Sequence, residues 1–552
     1  MNPPAFVSSP GQKSRRRLLL AANLLLIAST TRAETWTPTA AGTYDWNDAA
    51  NWGGVAFPNS IGGTGNLAAN FAGAQVINLN EAVTVGSLTI NDSGSGTDST
   101  VTLATGTSGS LTFQTASGNA TLTNSSAGVT NIISAPVTFG SATTVALGSA
   151  ASGSSQGLTL SGGFSGTGNI TVTGSSTGTG KNYLTLSGNN TGYTGNWTLS
   201  GTSGSSSLAG SGLSIDADGN LGATPGSPTT NITVTSASAA IQFNADFTLN
   251  ANRNISVNSG AGIVLNKGAV GTATVAGVIS GAGGVSTNSG GNTRTIKLSG
   301  VNTYTGSTNV TSGKLQAGST SAFGVNSAVT IGSLSSAVLD LNGFSNTIGS
   351  LSGTGGAVTL GSATITTGGN NANTTYSGAI SGTGGFTKIG TGTQTLSGNN
   401  TYSGATTVNG GTLALGASDR IANTSDLVLG GGTFATGGFG ETLDTLTLNA
   451  SSTIDFGAGA SALVFSASNS ITWTGTLTLL NFDINTDSLK FGSSISALSL
   501  AQLNAISLAG YTAALDSSGF VVFSATIPEP STYAALLGGA AMIAVGFSRR
   551  RH

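Results

Sequence analysis

The carboxylates that could do acid–base chemistry are few and far apart in this chain. Cleaving a polysaccharide needs a pair of carboxylates, or one carboxylate with basic partners, on either side of the bond. No Asp or Glu occurs between Asp98 and Asp216, nor between Asp246 and Asp340. The sequence therefore predicts a body without catalytic residues. A polysaccharide lyase or hydrolase is thus less favoured than a structural surface protein or a carbohydrate-binding adhesin.

The segment SIDADGN holds the closest pair of carboxylates, Asp216 and Asp218. They are the candidate metal ligands, as part of a calcium-binding turn, but the further acidic ligands of a complete calcium loop are missing. A polar turn between coils is the favoured interpretation. Cysteine is absent and the one histidine is His552, which excludes thiol catalysis, Cys-ligated metals and histidine-dependent triads. We expect no cofactor, because the GTGG strings lack the Gly-Lys-Ser/Thr of a phosphate loop.

Charge is distributed unevenly along the sequence. Eight of the 17 basic residues lie at the two ends, so nine basic residues stand against 18 acidic ones between Glu34 and Ile527. A body with net negative charge repels a polyanion. We therefore expect no nucleic-acid partner.

Two long stretches, residues 277–318 and 378–416, are imperfect copies of each other. A weaker third copy begins near Phe164 and carries LSGNNTGYTGNWTLSG. In both clear copies the leucine of LSG precedes the leucine of the closing strand by the same number of residues, while the first arm varies in length. Strands that keep register while turns change length indicate one supersecondary unit repeated along an axis.

Short runs of Val, Ile, Leu and Thr, such as TLTLNA and NITVTS, alternate with Gly, Ser, Asn and Asp turns over residues 71–481. This pattern predicts an all-β fold, a parallel β-solenoid with rungs about 4.8 Å apart. Tyr193, Tyr304 and Tyr402 follow the LSG motif at a nearly constant offset, which predicts one packing position and no binding site. The Asn and Thr of GNNTY and GVNTY suit polar ladders and left-handed turn positions.

Bulky residues flank the array at both ends. Trp36, Trp46 and Trp52 lie within residues 34–70, where we predict an N-terminal cap, because a first rung has no neighbour above it. The alternative is a tryptophan-lined sugar-binding face. Residues 482–527 are predicted to form a C-terminal cap, with a serine-capped helix in SLAQLNAISLAGY and a hairpin in AALDSSGFVVF. An independent binding module is the alternative there.

Residues 1–33 are predicted to be an export signal peptide. Lys13 and Arg15–Arg17 precede an apolar run, Leu18–Ala28, that is too short to span a bilayer comfortably. Ala33 suits the end of a processing site. The string SRRRLLL also resembles a twin-arginine signal faintly, so the choice between Sec and twin-arginine export stays open.

The two clear copies resemble the autotransporter-associated β-strand repeat found in passenger domains of large bacterial surface proteins. Residues 329–356 and 427–457 are similar to the connecting coils of that family. The resemblance covers most of the chain from Phe164 to Asn481. It implies a right-handed parallel β-helix, and it says almost nothing about activity.

The C-terminal segment 528–552 has three parts in order: Pro-Glu-Pro, an apolar stretch and a basic end. The apolar stretch predicts one transmembrane helix over residues 532–547, and the arginines after it predict a cytoplasmic end. Together these parts resemble the PEP-CTERM sorting signal, and an ordinary C-terminal anchor is the alternative. The resemblance implies that the sorting machinery recognises Pro528, Glu529, Pro530, Arg549, Arg550 and Arg551.

We therefore expect an exported, non-enzymatic surface or extracellular-matrix structural protein of a Gram-negative bacterium. The resemblance implies an exosortase-type membrane protease as its partner. It also implies a precursor anchored in the inner membrane through the C-terminal helix, followed by release to the cell surface or outside the cell. Association with exopolysaccharide and biofilm is implied as well. A carbohydrate-binding adhesin, with Trp46 and Trp52 as the candidate residues, is the alternative function.

Overall fold

The computed structural model describes residues 33–54, 56–92, 98–202 and 210–526. Nearly all of the predicted signal peptide lies outside these ranges, as does the whole sorting segment with its predicted transmembrane helix 532–547. Among the residues that are described, no helix is both long and apolar enough to cross a membrane.

The chain winds into a parallel β-solenoid of about 17 turns, which confirms the predicted all-β parallel architecture. One parallel ladder runs along almost the whole body, from Gly42–Asp45 to Ile506–Ser507. Within a strand such as Ser87–Asp92, buried residues alternate with half-exposed ones, because successive side chains of a strand point to opposite faces. The inward Leu, Ile and Val side chains therefore form one continuous column along the axis.

The strands belong to six parallel ladders and one terminal hairpin. The longest ladder contains Gly42–Asp45, Gln75–Asn78, Val101–Ala104, Thr130–Ile133, Ser155–Leu160, Lys181–Leu186, Gly210–Ile215, Ala239–Phe243, Gly262–Lys267, Gly284–Asn288, Thr308–Ala317, Ala328–Ile331, Ser350–Gly353, Thr374–Tyr376, Thr393–Leu396, Thr412–Leu415, Thr433–Ala435, Ser452–Asp455, Leu477–Leu480 and Ile506–Ser507. A second ladder contains Ala33–Thr35, Thr64–Ala69, Ser87–Asp92, Ala120–Asn124, Thr143–Ala150, Ile170–Ser176, Trp197–Leu199, Thr229–Val234, Arg253–Val257 and Ile279–Ser280.

Shorter ladders complete the coils. The N-terminal one contains Ala82–Val85, Ser110–Phe113, Val137–Phe139, Phe164–Gly166 and Gly192–Tyr193. In the middle, Thr248–Leu249, Gly271–Val275, Arg294–Leu298, the second half of Thr308–Ala317, Ala337–Asp340, Ala357–Thr359 and Ala379–Ser381 form another. A fifth ladder contains Asn346–Thr347, Ile365–Thr367, Phe386–Lys388, Thr406–Val408, Leu427–Gly430 and Leu446–Ala450. The sixth contains Glu441–Leu443, Ala462–Phe465 and Ser488–Phe491.

The two repeat copies share one coil length, because paired residues lie 19 positions apart in both, two more than the constant spacing between the leucines. In the first copy Leu298 pairs with Ala317, and in the second Leu396 pairs with Leu415, so the LSG strand lies directly beside the closing strand. Glycines of the repeat allow this close stacking: a Cβ atom on Gly384 would collide with the carbonyl group of Ala363 in the preceding coil. The GTGG strings are therefore tight turns between coils.

The C-terminal end combines a short helix with an antiparallel hairpin. The helix Leu500–Ala505 begins at Ser499, whose side chain and that of Gln502 form a capping box. It ends earlier than the SLAQLNAISLAGY pattern indicates, because Ile506–Ser507 joins the long ladder. The hairpin strands Tyr511–Leu515 and Val521–Ala525 pair around the predicted turn. Two 3-10 turns, Ala49–Trp52 and Asp218–Leu221, interrupt the coils elsewhere.

Candidate functional site

The repeat asparagines Asn190, Asn302 and Asn400 are buried and connect neighbouring coils. Their side-chain oxygens accept hydrogen bonds from backbone N–H groups of the preceding coil, Phe164 at 2.9 Å, Ile279 at 2.7 Å and Ile380 at 2.9 Å. Their amide groups donate to carbonyls of the following coil, Asn220 at 2.8 Å, Ala322 at 2.6 Å and Arg420 at 2.8 Å. The left-handed backbone that we expected in this motif occurs instead at Asn342 and Asn371. The repeat Asn is thus a buried coil-to-coil connector.

The tyrosines of the two clear copies begin the same buried hydrogen-bond chain. It runs from the tyrosine hydroxyl through a threonine and a serine to a glycine carbonyl. In the second copy the members are Tyr402, Thr406, Ser425 and Gly404, at 2.7, 2.9 and 2.8 Å. In the first they are Tyr304, Thr308, Ser327 and Gly306, at 2.7 Å for each step. Burial raises the pKa of both tyrosines above the usual range.

Tyr193, from the weaker third copy, is also fully buried, and its hydroxyl donates to the carbonyl of Asn196 at 3.2 Å. All three tyrosines therefore lie in the core, as the spacing predicted. None of them presents a ring to solvent, so these residues stabilise the repeat and offer no binding surface.

Trp36, Trp46 and Trp52 form a closed aromatic cluster in the first coils. The ring centroids of Trp36 and Trp46 lie 5.0 and 4.7 Å from that of Trp52, and all three side chains are at most 2% exposed. Each indole N–H has an acceptor inside the protein: Gln75 Oε1, the Pro58 carbonyl and the Trp46 carbonyl. A sugar-binding face at Trp46 and Trp52 is therefore wrong, because their rings are covered and their polar groups are already paired.

The Asp216–Asp218 turn is held by a buried arginine. Asp218 Oδ1 accepts hydrogen bonds from Arg253 Nε at 2.8 Å and from the Asn250 N–H at 3.0 Å. Its Oδ2 accepts one from Thr224 at 3.0 Å. Asp216 is exposed, and its backbone N–H donates to Asn220 Oδ1 at 2.9 Å, while its carboxylate makes no hydrogen bond with the described residues. The guanidinium of Arg253 already pairs with the Asp218 carboxylate, so a calcium ion would have to displace it.

Ligand sets for metals are missing from the part of the chain that the structure describes: no three His, Cys, Asp or Glu side chains come together there. The ion pairs among these residues are isolated, for example Lys267 Nζ to Asp246 Oδ1 at 3.1 Å and Lys314 Nζ to Asp340 Oδ2 at 3.5 Å. Neither pair joins a second carboxylate into an acid–base constellation.

Glu441 is a buried carboxylate in the connecting coil 427–457, after the second repeat copy, and is only 2% exposed. Its Oε2 accepts the Arg420 N–H at 2.8 Å and its Oε1 accepts the Ile421 N–H at 3.4 Å. Burial, and to a smaller extent the Asp419 carboxylate, raises the pKa of Glu441 to about 7. After the first copy Asn346, in the connecting coil 329–356, makes the corresponding contacts, because its Oδ1 accepts the two consecutive N–H groups of Ala322 and Phe323. Glu441 thus occupies a structural position in which an amide also serves.

Lys388 is a buried cation of the second repeat copy. Its Nζ donates to the carbonyls of Ile389 at 2.6 Å, Gly390 at 3.3 Å and Gly410 at 3.3 Å, and burial lowers its pKa. Because Gly410 belongs to the next coil, this ammonium group links two coils. We assign it a structural role for that reason.

Two of the surface clefts formed by the described residues are places where a ligand could bind. One, of about 230 Å³, lies beside the strands Val137–Phe139 and Phe164–Gly166 and is widely open. The other, of about 190 Å³, lies between the loop that contains Trp473 and the helix Leu500–Ala505. Trp473 was missed by the sequence argument. It is the one tryptophan of the five with a half-buried ring, and its position outside the strand alternation is the signal that could have identified it.

The predicted sorting residues, Pro528, Glu529, Pro530 and Arg549–Arg551, lie outside the described residues. The structure shows what precedes them. The last strand, Val521–Ala525, ends the terminal hairpin one residue before the description stops.

Comparison with known proteins identifies two sequence families in the chain. The passenger-associated-transport repeat matches residues 287–317 and 386–415, and the PEP-CTERM protein-sorting motif matches residues 526–551. The chain is also similar to the adhesin BmaC autotransporter of Brucella suis biovar 1 (strain 1330), at 32% identity over 356 residues. That alignment covers 60% of this chain and 10% of the adhesin, so the chain spans about a tenth of the relative's length. No solved structure matches the chain.

These matches agree with the two resemblances drawn from the residues. The matched repeats lie inside the stretches with the constant one-coil spacing, and the matched motif begins where the terminal hairpin ends. The chain is a parallel β-solenoid that carries passenger-associated-transport repeats and a C-terminal PEP-CTERM protein-sorting motif.

Proposed function

We propose that this chain is an exported, non-enzymatic surface protein of adhesin type, which an exosortase-type membrane protease recognises at its C-terminal motif. The observation that carries the proposal is the direct succession of two parts. The solenoid closes with a folded hairpin at Ala525, and the sorting motif starts at residue 526. A protease can act on a segment that protrudes from a folded body far more readily than on one that is packed into it.

The body suits presentation of a surface better than catalysis. Its interior is a closed apolar column, and its polar groups are largely used to connect coils. Asp218, one of the two candidate acidic residues, is occupied by Arg253. The similarity to an autotransporter adhesin supports the same class of function, although that alignment covers a tenth of the relative.

The location follows from the two ends of the chain. We propose that residues 1–33 direct export and that the helix 532–547 holds a precursor in the inner membrane with Arg549–Arg551 on the cytoplasmic side. Processing at the motif then releases the solenoid to the cell surface or the extracellular matrix of a Gram-negative bacterium. Association with exopolysaccharide and biofilm belongs to this proposal.

The sorting step is tested by comparing the full chain with a variant that lacks residues 528–552 and with the point variant Glu529→Gln. Intact mass and protease accessibility on whole cells are measured. We expect wild type to lose its C-terminal segment, Glu529→Gln to retain it, and the deletion variant to differ from wild type in surface retention. Pro228→Ala, in an exposed loop of the body, is the matched control and should be processed and retained like wild type. Wild-type processing of Glu529→Gln together with wild-type retention of the deletion variant would refute exosortase sorting.

A further inference from the structure

The cleft at the C-terminal turns combines an aromatic ring with short polar side chains. It has a volume of about 190 Å³ and lies between the loop that follows Ala462–Phe465 and the start of the helix Leu500–Ala505. Its lining includes one aromatic ring and several short polar side chains, among them Asn469, Ser470, Thr472, Trp473 and Ser499. No Asp, Glu, Lys or Arg side chain contributes to the lining.

The aromatic wall of the cleft is held in a fixed orientation. The indole N–H of Trp473 donates to the Leu446 carbonyl at 2.9 Å, and its ring packs at 59° on Phe491 with centroids 6.1 Å apart. These contacts fix the ring from behind while part of it stays accessible. The other four tryptophans are at most 2% exposed, so Trp473 alone among the five could meet a ligand.

The helix side of the cleft is also pre-organised. Gln502 is 2% exposed, and its Nε2 donates to the carbonyls of Ser468 at 2.8 Å and Ile471 at 2.9 Å. Its Oε1 accepts the Ser499 N–H at 2.7 Å. These bonds tie the helix to the Trp473 loop, so the width of the cleft is set before any ligand arrives. A site fixed in advance loses little conformational entropy on binding.

The polar side chains on the open side remain available. Asn469, Ser470 and Thr472 are exposed, and among the described residues none of them has a side-chain hydrogen bond. An amide and two hydroxyls can therefore donate to and accept from a ligand that carries several hydroxyl groups. No charged side chain in the lining offers an ionic anchor, which favours a neutral sugar over an acidic sugar or a phosphate.

We propose that this cleft binds one neutral hexose residue of a glycan, with an apolar face of the sugar ring against Trp473 and its hydroxyls on Asn469, Ser470 and Thr472. Aromatic rings with a polar neighbourhood suit ligands that have one apolar face and a polar edge. The volume lies below the roughly 300 Å³ at which pockets for drug-sized ligands begin, so one ring fits and a longer segment extends into solvent. The inference rests on the proposed surface function and deepens it by naming the ligand class.

The position of the cleft bears on the source of the glycan. Its residues belong to the last coils, close to residue 526, where the sorting motif begins. At the proposed location, on the cell surface or in the matrix, polysaccharide of the producing cell is the first glycan that this site meets. The same neutral hexose chemistry also occurs in glycans of other cells, so the test needs both sources.

The test measures binding of the full-length protein to two sets of probes. One is polysaccharide purified from the producing cells, and the other is an array of neutral gluco-, galacto- and manno-oligosaccharides with matched uronic-acid oligosaccharides. Ala501→Trp fills the cleft from an exposed helix position. Asn504→Trp places the same bulk at an exposed position of the same helix that does not line the cleft. Trp473→Ala and Trp473→Phe then separate loss of the ring from loss of its N–H.

We expect wild type and Asn504→Trp to bind neutral glycans equally, Ala501→Trp to lose binding, and Trp473→Ala to weaken it about tenfold or more. Trp473→Phe should lie between wild type and Trp473→Ala, because a ring remains. Stronger binding to the cell's own polysaccharide than to the array would assign the source. Binding to uronic-acid probes alone, equal binding by Ala501→Trp, or no binding by wild type would overturn the inference. Since mass and surface retention are measured separately, this failure would leave the sorting proposal standing.

Discussion

The Nε atom of Arg253 lies 2.8 Å from Oδ1 of Asp218, which precedes it by 35 residues, and the arginine side chain is completely buried. The other nitrogens of the guanidinium are also paired, Nη1 with Asn231 Oδ1 at 2.8 Å and Nη2 with the Gly222 carbonyl at 2.6 Å. One arginine thus fixes three points of the neighbouring coils. Removing one member of a buried ion pair leaves the other charge without compensation.

Asp218→Ala is therefore expected to destabilise the region around this turn by about 3–5 kcal/mol. Hydrogen exchange of residues 217–234 measures the effect, because a solenoid opens locally and its coils do not unfold as one unit. Asp216→Ala is the control and should change stability by less than about 0.5 kcal/mol, since its side chain is exposed. Adding calcium or a chelator should alter neither protein. Equal exchange in both variants would contradict the role of the Arg253–Asp218 pair.

The identical hydrogen-bond chains of the two repeat copies predict equal contributions to stability. Thr406→Val removes the hydroxyl between Tyr402 and Ser425, so each of them loses its hydrogen bond to residue 406. This loss should cost about 1–3 kcal/mol of folding stability. Thr308→Val should have the same effect in the first copy, and the double variant should show the sum, because the sites share no partner. Denaturant unfolding, monitored by hydrogen exchange in each copy, measures the loss of stability that each substitution causes.

Thr407→Val is the control for this pair, because Thr407 is the half-exposed neighbour whose side chain points away from the core. It should change stability little. If Thr407→Val destabilised the repeat as much as Thr406→Val, the buried chain would not be the cause. Unequal effects at Thr308 and Thr406 would show that the two copies are not energetically equivalent.

The raised pKa of Glu441 predicts that the stability of the folded chain depends on pH. Its pKa is raised from 4.5 to about 7 in the folded chain, so its contribution is fully present below about pH 4.5 and is lost as the pH rises through 7. The wild type should therefore lose about 3 kcal/mol of local stability between pH 4.5 and pH 8 through this residue. Glu441→Gln should abolish that part of the pH profile and be the more stable protein at pH 8.

The connecting coil after the first copy provides a reciprocal control for this prediction. Asn346 accepts two backbone N–H groups in the corresponding place, and Asn346→Asp should introduce a loss of stability with rising pH where the wild type has none. Melting temperature against pH for the three proteins measures the effect. A parallel profile for wild type and Glu441→Gln would show that Glu441 does not titrate in this range.

The alternation of apolar and β-branched residues was enough to predict the solenoid, because each strand must bury one face and every coil offers the same column to bury it in. The repeat spacing was equally informative. Leu298 and Leu396 keep a constant distance to the closing strand since that distance is one coil. The packing position of Tyr193, Tyr304 and Tyr402 followed from the same logic.

The candidate sites could not be predicted in this way, because the contacts that decide them cross from coil to coil. Asp218 meets Arg253 only because of the length of the turns between them, and this pairing changes a candidate calcium ligand into a structural carboxylate. The sequence allowed Trp46 and Trp52 to form either a cap or a sugar-binding face, and only their burial in the structure decides between the two.

The sequence alone determined the parallel β-solenoid, its repeated unit and the sorting motif at its C-terminal end, since these depend on local alternation, repeat spacing and a contiguous motif. The tertiary structure decided which side chains are covered and which can meet a ligand. Trp473 lines a cleft and is partly exposed, whereas the other four tryptophans are buried, and only the surroundings of each residue decide this difference. The physical reason is that burial depends on neighbours from adjacent coils, and turn lengths set those neighbours.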